Sequence, residues 1–234
     1  MDGNTTLSAK DDRIWFPGNP WPGGHRIEEF AWKGRLDPES GLRFVLELRS
    51  ADYDAEDPPG LEEDEDLDSR PSFGFEPSKV VWCNYHRCTI SAARGFVAGS
   101  PDDPLDFDAL TGRAFHVDGL DEVDEIEDWD DFAFHIYLLG HDSVADHRIR
   151  FPTRHAPFEF GLEWDGRIAL TYVGEEEYKH RFRAGVGRVA FQGFEVPDDL
   201  DDEAADGLLK ACVRDPGRFR LSQEGRGRWY VPVS

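Results

Sequence analysis

The stretch that decides the fold class runs from residue 29 to residue 49 and reads EFAWKGRLDPESGLRFVLELR. Apolar side chains stand at alternate positions on both sides of its central DPESG, a period that is typical of half-buried β-strands. A loop over 37–41 allows Leu36 to face Leu42, and the alternating apolar residues of the two strands then share one face. The stretch therefore predicts a β-hairpin.

A second hairpin is predicted around the loop WDG at 164–166. Apolar residues alternate over 158–162 and again over 168–172. A two-residue Asp-Gly turn would put these two apolar sets on opposite faces of the hairpin. A three-residue loop with a left-handed glycine instead stacks Leu162 on Ile168, so we predict the three-residue loop.

The rest of the chain repeats this alternation in short segments. The connections between the later predicted strands are short, which favours antiparallel pairing of neighbouring strands. Further strands are predicted at 79–90, 113–118, 132–139, 177–183, 188–195, 218–222 and 228–233. One helix is predicted at 199–213, where apolar residues recur every four positions and Pro216 follows. The predicted fold class is mainly β, an antiparallel sandwich or partly closed barrel with one C-terminal α-helix.

The chain is expected to fold as one domain behind an irregular lead-in. Its length of 234 residues fits one large domain or two small ones, and no linker divides it. Residues 1–25 are the predicted aromatic and Pro-rich lead-in, because the run WFPGNPWPGG at 15–24 holds too many prolines and glycines for a helix or a central strand. Residues 26–234 are the predicted mainly-β domain, with an acidic mobile arm at 52–70.

Composition narrows the class of protein further. The chain has 3 cysteines and no basic segment followed by an apolar one at its start. It also has no apolar run of about 18 residues, the length that a membrane helix needs. These features argue against a disulfide-stapled fold, a secretory signal and a membrane span. We therefore expect a cytoplasmic protein that does not bind a membrane.

The negative charge of the chain is concentrated in three segments. The formal net charge is −23, from 49 acidic and 26 basic residues. The segments 52–68, 118–131 and 198–206 hold 25 of these acids and no base. Clustering costs stability, because like charges repel over a screening length of about 8 Å at physiological salt. Such runs are interpreted either as solvated loops or as a surface that attracts a cationic ligand.

This distribution of charge leads to the main functional hypothesis. We expect a non-enzymatic interaction protein that binds a basic protein partner through its acidic segments, such as an immunity protein or an inhibitor of a cationic toxin. Direct binding of nucleic acid is disfavoured, because contact with phosphates requires patches of Lys and Arg. The hypothesis implies no cofactor. The predicted partner-binding residues are Asp54, Glu56, Asp57, Glu62, Glu63, Asp64, Glu65, Asp66, Asp68, Asp121, Glu122, Asp124, Glu125 and Asp128.

The three acidic segments differ in their expected structure. Residues 52–68 have no regular apolar spacing and predict the mobile arm. Residues 118–131 repeat an apolar residue at every third position from Leu120 to Phe132, which predicts a short helix lying on the core. Residues 198–206 open the predicted helix, where acids stabilise the helix dipole by about 0.3–1 kcal/mol each. This third segment is therefore the least suited to binding a partner.

A group of histidines supports an alternative hypothesis, a metal-dependent hydrolase that uses the His/Asp cluster at 135–155. Four of the 8 histidines fall in this range. Imidazole and carboxylate groups together can hold a divalent metal ion and activate water. The region after the predicted strand at 132–139 is expected to be a loop, and surface-loop histidines without a metal are the simpler interpretation. The alternative metal ligands are His141, Asp142, Asp146 and His147.

Overall fold

The structure, a computed structural model, describes residues 12–19, 21, 23–52, 87–138, 140–223 and 227–233. These residues form a mainly β, antiparallel sheet of twelve strands in a partly closed ring, with one C-terminal helix, α1 (Asp202–Cys212). The strands are β1 (Arg13–Trp15), β2 (His25–Asp37), β3 (Gly41–Ser50), β4 (Thr89–Ala92), β5 (Phe96–Gly99), β6 (Ala114–Val117), β7 (Phe134–Tyr137), β8 (His141–Ala156), β9 (Glu159–Ala169), β10 (His180–Val196), β11 (Phe219–Ser222) and β12 (Arg228–Pro232).

The ring is built from strands that pair in the order β2-β3-β4-β7-β8-β9-β10. It returns to its start because the second half of β10 pairs in parallel with β2, where Phe191 lies opposite Trp32. The remaining strands extend this path: β1 pairs with β2 and β10, β5 with β3, and β6 with β8, while β12 joins β11 to β10. The buried apolar side chains form one continuous core.

The hairpin predicted at 29–49 is confirmed. β2 and β3 pair antiparallel, with Leu36 opposite Leu42 and Trp32 opposite Leu46. All four of these side chains are completely buried. A slip of one residue would expose this whole face, so the alternation of apolar residues sets the register.

The second predicted hairpin is wrong. Residues 164–166 lie inside β9, which pairs with β8 on one side and with β10 on the other. Gly166 serves close packing rather than a turn, because a Cβ at this position would lie 2.3 Å from Cε1 of Phe182. The Asp-Gly pair is a local turn signal, and here the packing of the sheet overrides it.

Two long strands also differ from the prediction. The expected loop after 132–139 is largely occupied by β8, which contains all four proposed metal ligands. The strands predicted at 177–183 and 188–195 form one strand, β10, whose register shifts between Val186 and Val189. A β-bulge of this kind bends a strand without ending it, which explains why two predicted segments are continuous.

Other predicted elements are close to the structure. The strands predicted at 113–118, 132–139, 218–222 and 228–233 correspond to β6, β7, β11 and β12. The helix predicted at 199–213 corresponds to α1, where the side chain of Asp201 accepts a hydrogen bond of 2.8 Å from the backbone N–H of Ala204. This bond satisfies one of the donors that a helix leaves unpaired at its start. No helix in the described part of the chain is long and apolar enough to span a membrane.

Three segments require smaller corrections. The lead-in is not wholly irregular, because β1 lies within it and pairs with β2 and β10. Of the strand predicted at 79–90, only the end falls among the described residues, where β4 begins. Residues 118–131 do not form the predicted helix, and single 3₁₀ turns at Val123–Glu125 and Trp129–Asp131 stand in its place. Acids occupy most positions around the narrow apolar stripe, and like charges one turn apart destabilise a helix.

Aromatic side chains dominate the core. Trp32 packs edge-on against Phe44 with 5.2 Å between ring centroids, and it lies 4.7 Å from Phe151. A second group joins Trp164 to Phe134 at 4.6 Å. Tilted and edge-to-face aromatic pairs of this kind contribute about 0.5–1.5 kcal/mol beyond the burial of their apolar area. The closely packed aromatic core therefore supports the loops and the outer faces of the ring.

Candidate functional site

Residues 118–131, here called the acidic loop, connect β6 to β7. Asp118 holds the base of the loop: its Oδ2 accepts a hydrogen bond of 2.9 Å from the N–H of Ala133, and its carbonyl oxygen accepts one of 2.7 Å from the N–H of Asp146. Burial raises the pKa of the Asp118 carboxyl group above its ordinary value, although the hydrogen bond from Ala133 acts in the opposite direction. The base of the acidic loop is therefore tied to β8 and to the residue that precedes β7.

The acidic loop carries concentrated negative charge in contact with solvent. Its eight acidic residues between positions 121 and 131 are all exposed. Within the described ranges, Asp131 is the only acid of this loop in an ion pair, at 3.3 Å from Arg94. By contrast, Glu47 on β3 is paired with Lys33 at 2.9 Å. The acids of the loop therefore lie close together with little compensation from described cations.

Two large apolar side chains are exposed among these charges. Trp129 is 38% exposed and Leu120 is 41% exposed. The indole ring of Trp129 stacks on the ring of His135, with 4.5 Å between centroids. Nε2 of His135 also donates a hydrogen bond of 2.9 Å to the carbonyl oxygen of Trp129. These two contacts fix the orientation of the indole while it stays partly exposed.

The predicted partner-binding residues fall into two groups. The acidic loop brings together Asp121, Glu122, Asp124, Glu125 and Asp128, all of them exposed. The predicted residues between 54 and 68 lie outside the described residues, as does most of the predicted mobile arm at 52–70. At its start, Asp52 accepts hydrogen bonds of 3.1 and 3.0 Å from the guanidinium group of Arg87.

The third acidic segment, 198–206, has the structural role that its position predicts. Besides the cap at the start of α1, Asp202 forms an ion pair with Arg228 at 2.7 Å. Asp206 forms another with Lys210, one turn later in the helix, at 2.6 Å. These acids are therefore partly neutralised by contacts within the fold.

The proposed metal ligands do not form one site. Asp142 is buried, where its Oδ1 accepts a hydrogen bond of 3.1 Å from the N–H of Tyr172. Asp146 forms an ion pair with Arg167 at 2.8 Å. Across the part of the chain that the structure describes, no three His, Cys, Asp or Glu side chains converge to hold a metal ion. The metal-dependent hydrolase therefore gains no support from the geometry.

The other two proposed ligands also lie apart. His141 is exposed at the start of β8, whereas His147 is buried in the core. The Nε1–H of Trp164 donates a hydrogen bond of 3.1 Å to Nδ1 of His147. Burial lowers the pKa of His147 to about 3, so the ring is neutral at physiological pH. His147 is therefore a core residue in this fold.

Sequence reasoning missed a cationic groove of about 430 Å³ that lies across β6, β8, β9 and β10. Five arginines and two aspartates line it, together with a histidine, a glycine and a phenylalanine. These residues, here called the arginine groove, are His116, Asp146, Arg148, Arg150, Asp165, Gly166, Arg167, Arg181, Phe182 and Arg183. The groove is locally positive although the chain has a net charge of −23.

Strand pairing sets the positions of these arginines. Arg148 on β8 lies opposite Asp165 on β9, which in turn lies opposite Arg183 on β10. Two residues further along β9, Arg167 lies opposite Arg181 on β10. Because neighbouring strands are about 4.8 Å apart and residues along a strand about 3.3 Å apart, the backbones of these four arginines fall within roughly 12 Å of one another.

The arginine groove is only partly neutralised from within. Asp165 lies 3.7 Å from Nε of Arg183 and 3.8 Å from the guanidinium group of Arg150. Arg148 and Arg181 are exposed, and neither forms an ion pair or side-chain hydrogen bond with any residue that the structure describes. The groove therefore presents two uncompensated guanidinium groups.

A signal for the arginine groove does exist in the sequence. Arg148 and Arg150 are two positions apart, as are Arg181 and Arg183, and alternate residues of a strand point to the same face. The prediction misses the groove because it places a loop over part of β8 and a turn at 164–166. With these two errors, the prediction does not place β8, β9 and β10 side by side.

Comparison with known proteins does not assign a family. A scan against models of protein families and searches of curated proteins and of solved structures find no match to this chain.

Proposed function

We propose that this protein is a non-enzymatic, cytoplasmic interaction protein that docks a basic protein partner on its acidic loop. The observation that carries the proposal is the set of eight exposed acids between positions 121 and 131, of which one has a described ion-pair partner. A basic surface would supply the missing cations. An immunity protein or an inhibitor that covers the cationic surface of a toxin is the class of protein that this chemistry fits best.

The electric field of the acidic loop supports fast association. Unpaired charges of one sign raise the local concentration of a cationic partner and orient its approach. The charge of the loop also acts on Tyr178: burial raises the pKa of its hydroxyl group, a hydrogen bond with Ser143 lowers it, and the charges of Asp118 and Asp124 raise it. Because exposed charges are screened by salt, association with the partner should weaken as ionic strength rises.

Trp129 supports a stable complex after the encounter. Rim charges mainly affect association, whereas buried aromatic anchors at the centre of an interface supply most of the affinity. Trp129 is partly exposed, held in orientation by His135, and surrounded by acids. A basic partner that covers the loop would therefore bury an indole that is already positioned.

The proposal is tested by capturing partners from lysate of the cells that make the protein. Immobilised wild type is compared with the loop variant Asp121→Asn/Glu122→Gln/Asp124→Asn. A matched control, Asp102→Asn/Asp198→Asn/Asp199→Asn, removes the same number of exposed acids that lack an ion pair with described residues.

We expect the wild type and the control to retain the same basic proteins at low salt and to release them near 1 M NaCl. The loop variant should lose them. Retention of the same proteins by the loop variant, or retention of acidic proteins alone, would remove the acidic loop from the function.

A further inference from the structure

We propose that the arginine groove binds the phosphate group of a small phosphorylated ligand. This function is separate from partner docking by the acidic loop. Five arginines line a groove of about 430 Å³, against two aspartates. A guanidinium group presents a planar fork of donors that matches two oxygens of a phosphate, so clusters of arginine are the usual protein solution for phosphate recognition.

Donors in the groove lack acceptors. Arg148 and Arg181 have no ionic partner among the described residues, although both are exposed on the same outer face. An anion with several oxygens would accept charge-assisted hydrogen bonds from both of these exposed guanidinium groups.

The fold holds three of the five arginines, Arg150, Arg167 and Arg183, in place before any ligand binds. Arg150 is paired with Glu163 at 2.6 Å, and Arg167 with Asp146 at 2.8 Å. Asp165 lies 3.7 Å from Nε of Arg183 and 3.8 Å from the guanidinium group of Arg150. These carboxylates orient the guanidinium groups from one side. Because all five arginines stand on strands and not on loops, the fold sets the spacing of their backbones before a ligand binds.

The number of arginines favours phosphate over carboxylate. A carboxylate has one negative charge and two oxygens, which a single guanidinium fork satisfies. Arg148 and Arg181 are both uncompensated and stand on strands separated by β9, so an anion that reaches both must present more oxygens and more charge. A phosphate group meets this requirement.

The surroundings of the groove favour a small ligand. Its volume lies within the range of about 300–1,000 Å³ that is typical of small-molecule sites. The acidic loop begins beside it, since the carbonyl oxygen of Asp118 is hydrogen-bonded to the N–H of Asp146 in the groove. A long polyanion would meet this negative field outside the groove, whereas a compact phosphorylated molecule fits within the positive region.

The test is a calorimetric titration of the full chain with inorganic pyrophosphate, with sodium acetate at equal ionic strength as the carboxylate control. Arg148→Gln and Arg181→Gln each remove one uncompensated arginine of the groove. Arg220→Gln is the matched control, because Arg220 is also an exposed strand residue without a described ionic partner. Thermal unfolding of each variant confirms that the fold is retained.

We expect pyrophosphate to bind saturably. Acetate should bind at least tenfold more weakly. Each groove variant should raise the Kd for pyrophosphate by about tenfold or more, the effect of removing one charge-assisted contact, while Arg220→Gln leaves it unchanged. The proposal is overturned if pyrophosphate binds no more tightly than acetate, or if the groove variants bind it as the wild type does. It is equally overturned if Arg220→Gln weakens binding as much as the groove variants, because the effect would then be one of overall charge.

Discussion

The Nε1–H of Trp164 donates a hydrogen bond of 3.1 Å to Nδ1 of His147 in the buried core. A nitrogen that accepts this bond carries no proton, so the proton of the neutral ring lies on Nε2. Nε2 has no hydrogen-bonding partner within the described structure. Burial lowers the pKa of the ring to about 3, against 6.5 for an exposed histidine. The pair therefore couples the stability of the core to pH.

This coupling predicts a loss of stability in mild acid. Below pH 6.5 the unfolded chain protonates His147, whereas the folded protein does so only near pH 3. The contribution of neutral His147 to the free energy of unfolding is therefore complete above pH 6.5. It is lost as the pH falls below 6.5, by about 1.4 kcal/mol per pH unit. Between pH 7.5 and 5.0 the free energy of unfolding of the wild type should fall by about 2 kcal/mol more than that of His147→Phe.

Urea denaturation of both proteins at the two pH values measures this difference. The carboxylates are the same in both proteins, so their titration cancels in the comparison. A difference in unfolding free energy that stays constant from pH 7.5 to pH 5.0 would show that His147 titrates alike in the folded and unfolded states.

A second prediction concerns the glycine that the sequence suggested as a turn residue. A Cβ at Gly166 would lie 2.3 Å from Cε1 of Phe182 and 2.9 Å from Nδ1 of His147. Gly166→Ala should therefore lower the free energy of unfolding by about 1–3 kcal/mol or more through overpacking. Adding Phe182→Leu should recover part of this loss, because it removes the crowded ring atoms.

The control is Gly112→Ala, where a Cβ would meet nothing within 4 Å, so stability should change by less than about 0.5 kcal/mol. Urea denaturation measures the wild type, Gly166→Ala, Phe182→Leu, the double variant and Gly112→Ala. If the costs of Gly166→Ala and Phe182→Leu simply add, the two positions do not crowd one another and the packing explanation fails.

A third prediction is that the acidic loop costs stability. Its exposed acids repel one another, and Asp131 alone has a described ion-pair partner. The loop variant Asp121→Asn/Glu122→Gln/Asp124→Asn should therefore melt at or above the temperature of the wild type in 20 mM NaCl, and the difference should shrink in 500 mM NaCl. Differential scanning calorimetry measures both temperatures. A loop variant that melts well below the wild type would mean that these acids stabilise the fold instead.

A fourth prediction separates the indole of Trp129 from the charges around it. Trp129 is 38% exposed and stacks on His135, so Trp129→Ala should lower the melting temperature by a few degrees and leave the protein folded at 25 °C. Its loss should weaken the complex with the captured basic partner by at least about 2 kcal/mol, roughly thirtyfold in Kd, mainly through faster dissociation. Surface plasmon resonance gives both rates. An unchanged dissociation rate would place Trp129 outside the interface.

The sequence predicts those parts of the fold that depend on local alternation. The register of Leu36 against Leu42 follows from parity alone, because one face of both strands is apolar. The turn predicted at 164–166 is wrong because Gly166 packs against Phe182, a residue on the next strand. No local pattern contains that information.

The candidate sites divide in the same way. The acidic loop is visible in the sequence because its charges are consecutive. The arginine groove is not, because Arg148, Asp165 and Arg183 become neighbours only when β8, β9 and β10 are aligned. Sites made by adjacent residues can thus be found before the fold is known, and sites made across a sheet require the register.

The central claim is that the acidic loop is the surface that the basic partner covers. Hydrogen–deuterium exchange of the protein alone and in complex with the captured partner tests it most directly. The account predicts slower exchange in peptides that span residues 118–135 when the partner is bound, and little change over α1. Unchanged exchange across 118–135, with protection on another part of the ring, would contradict it.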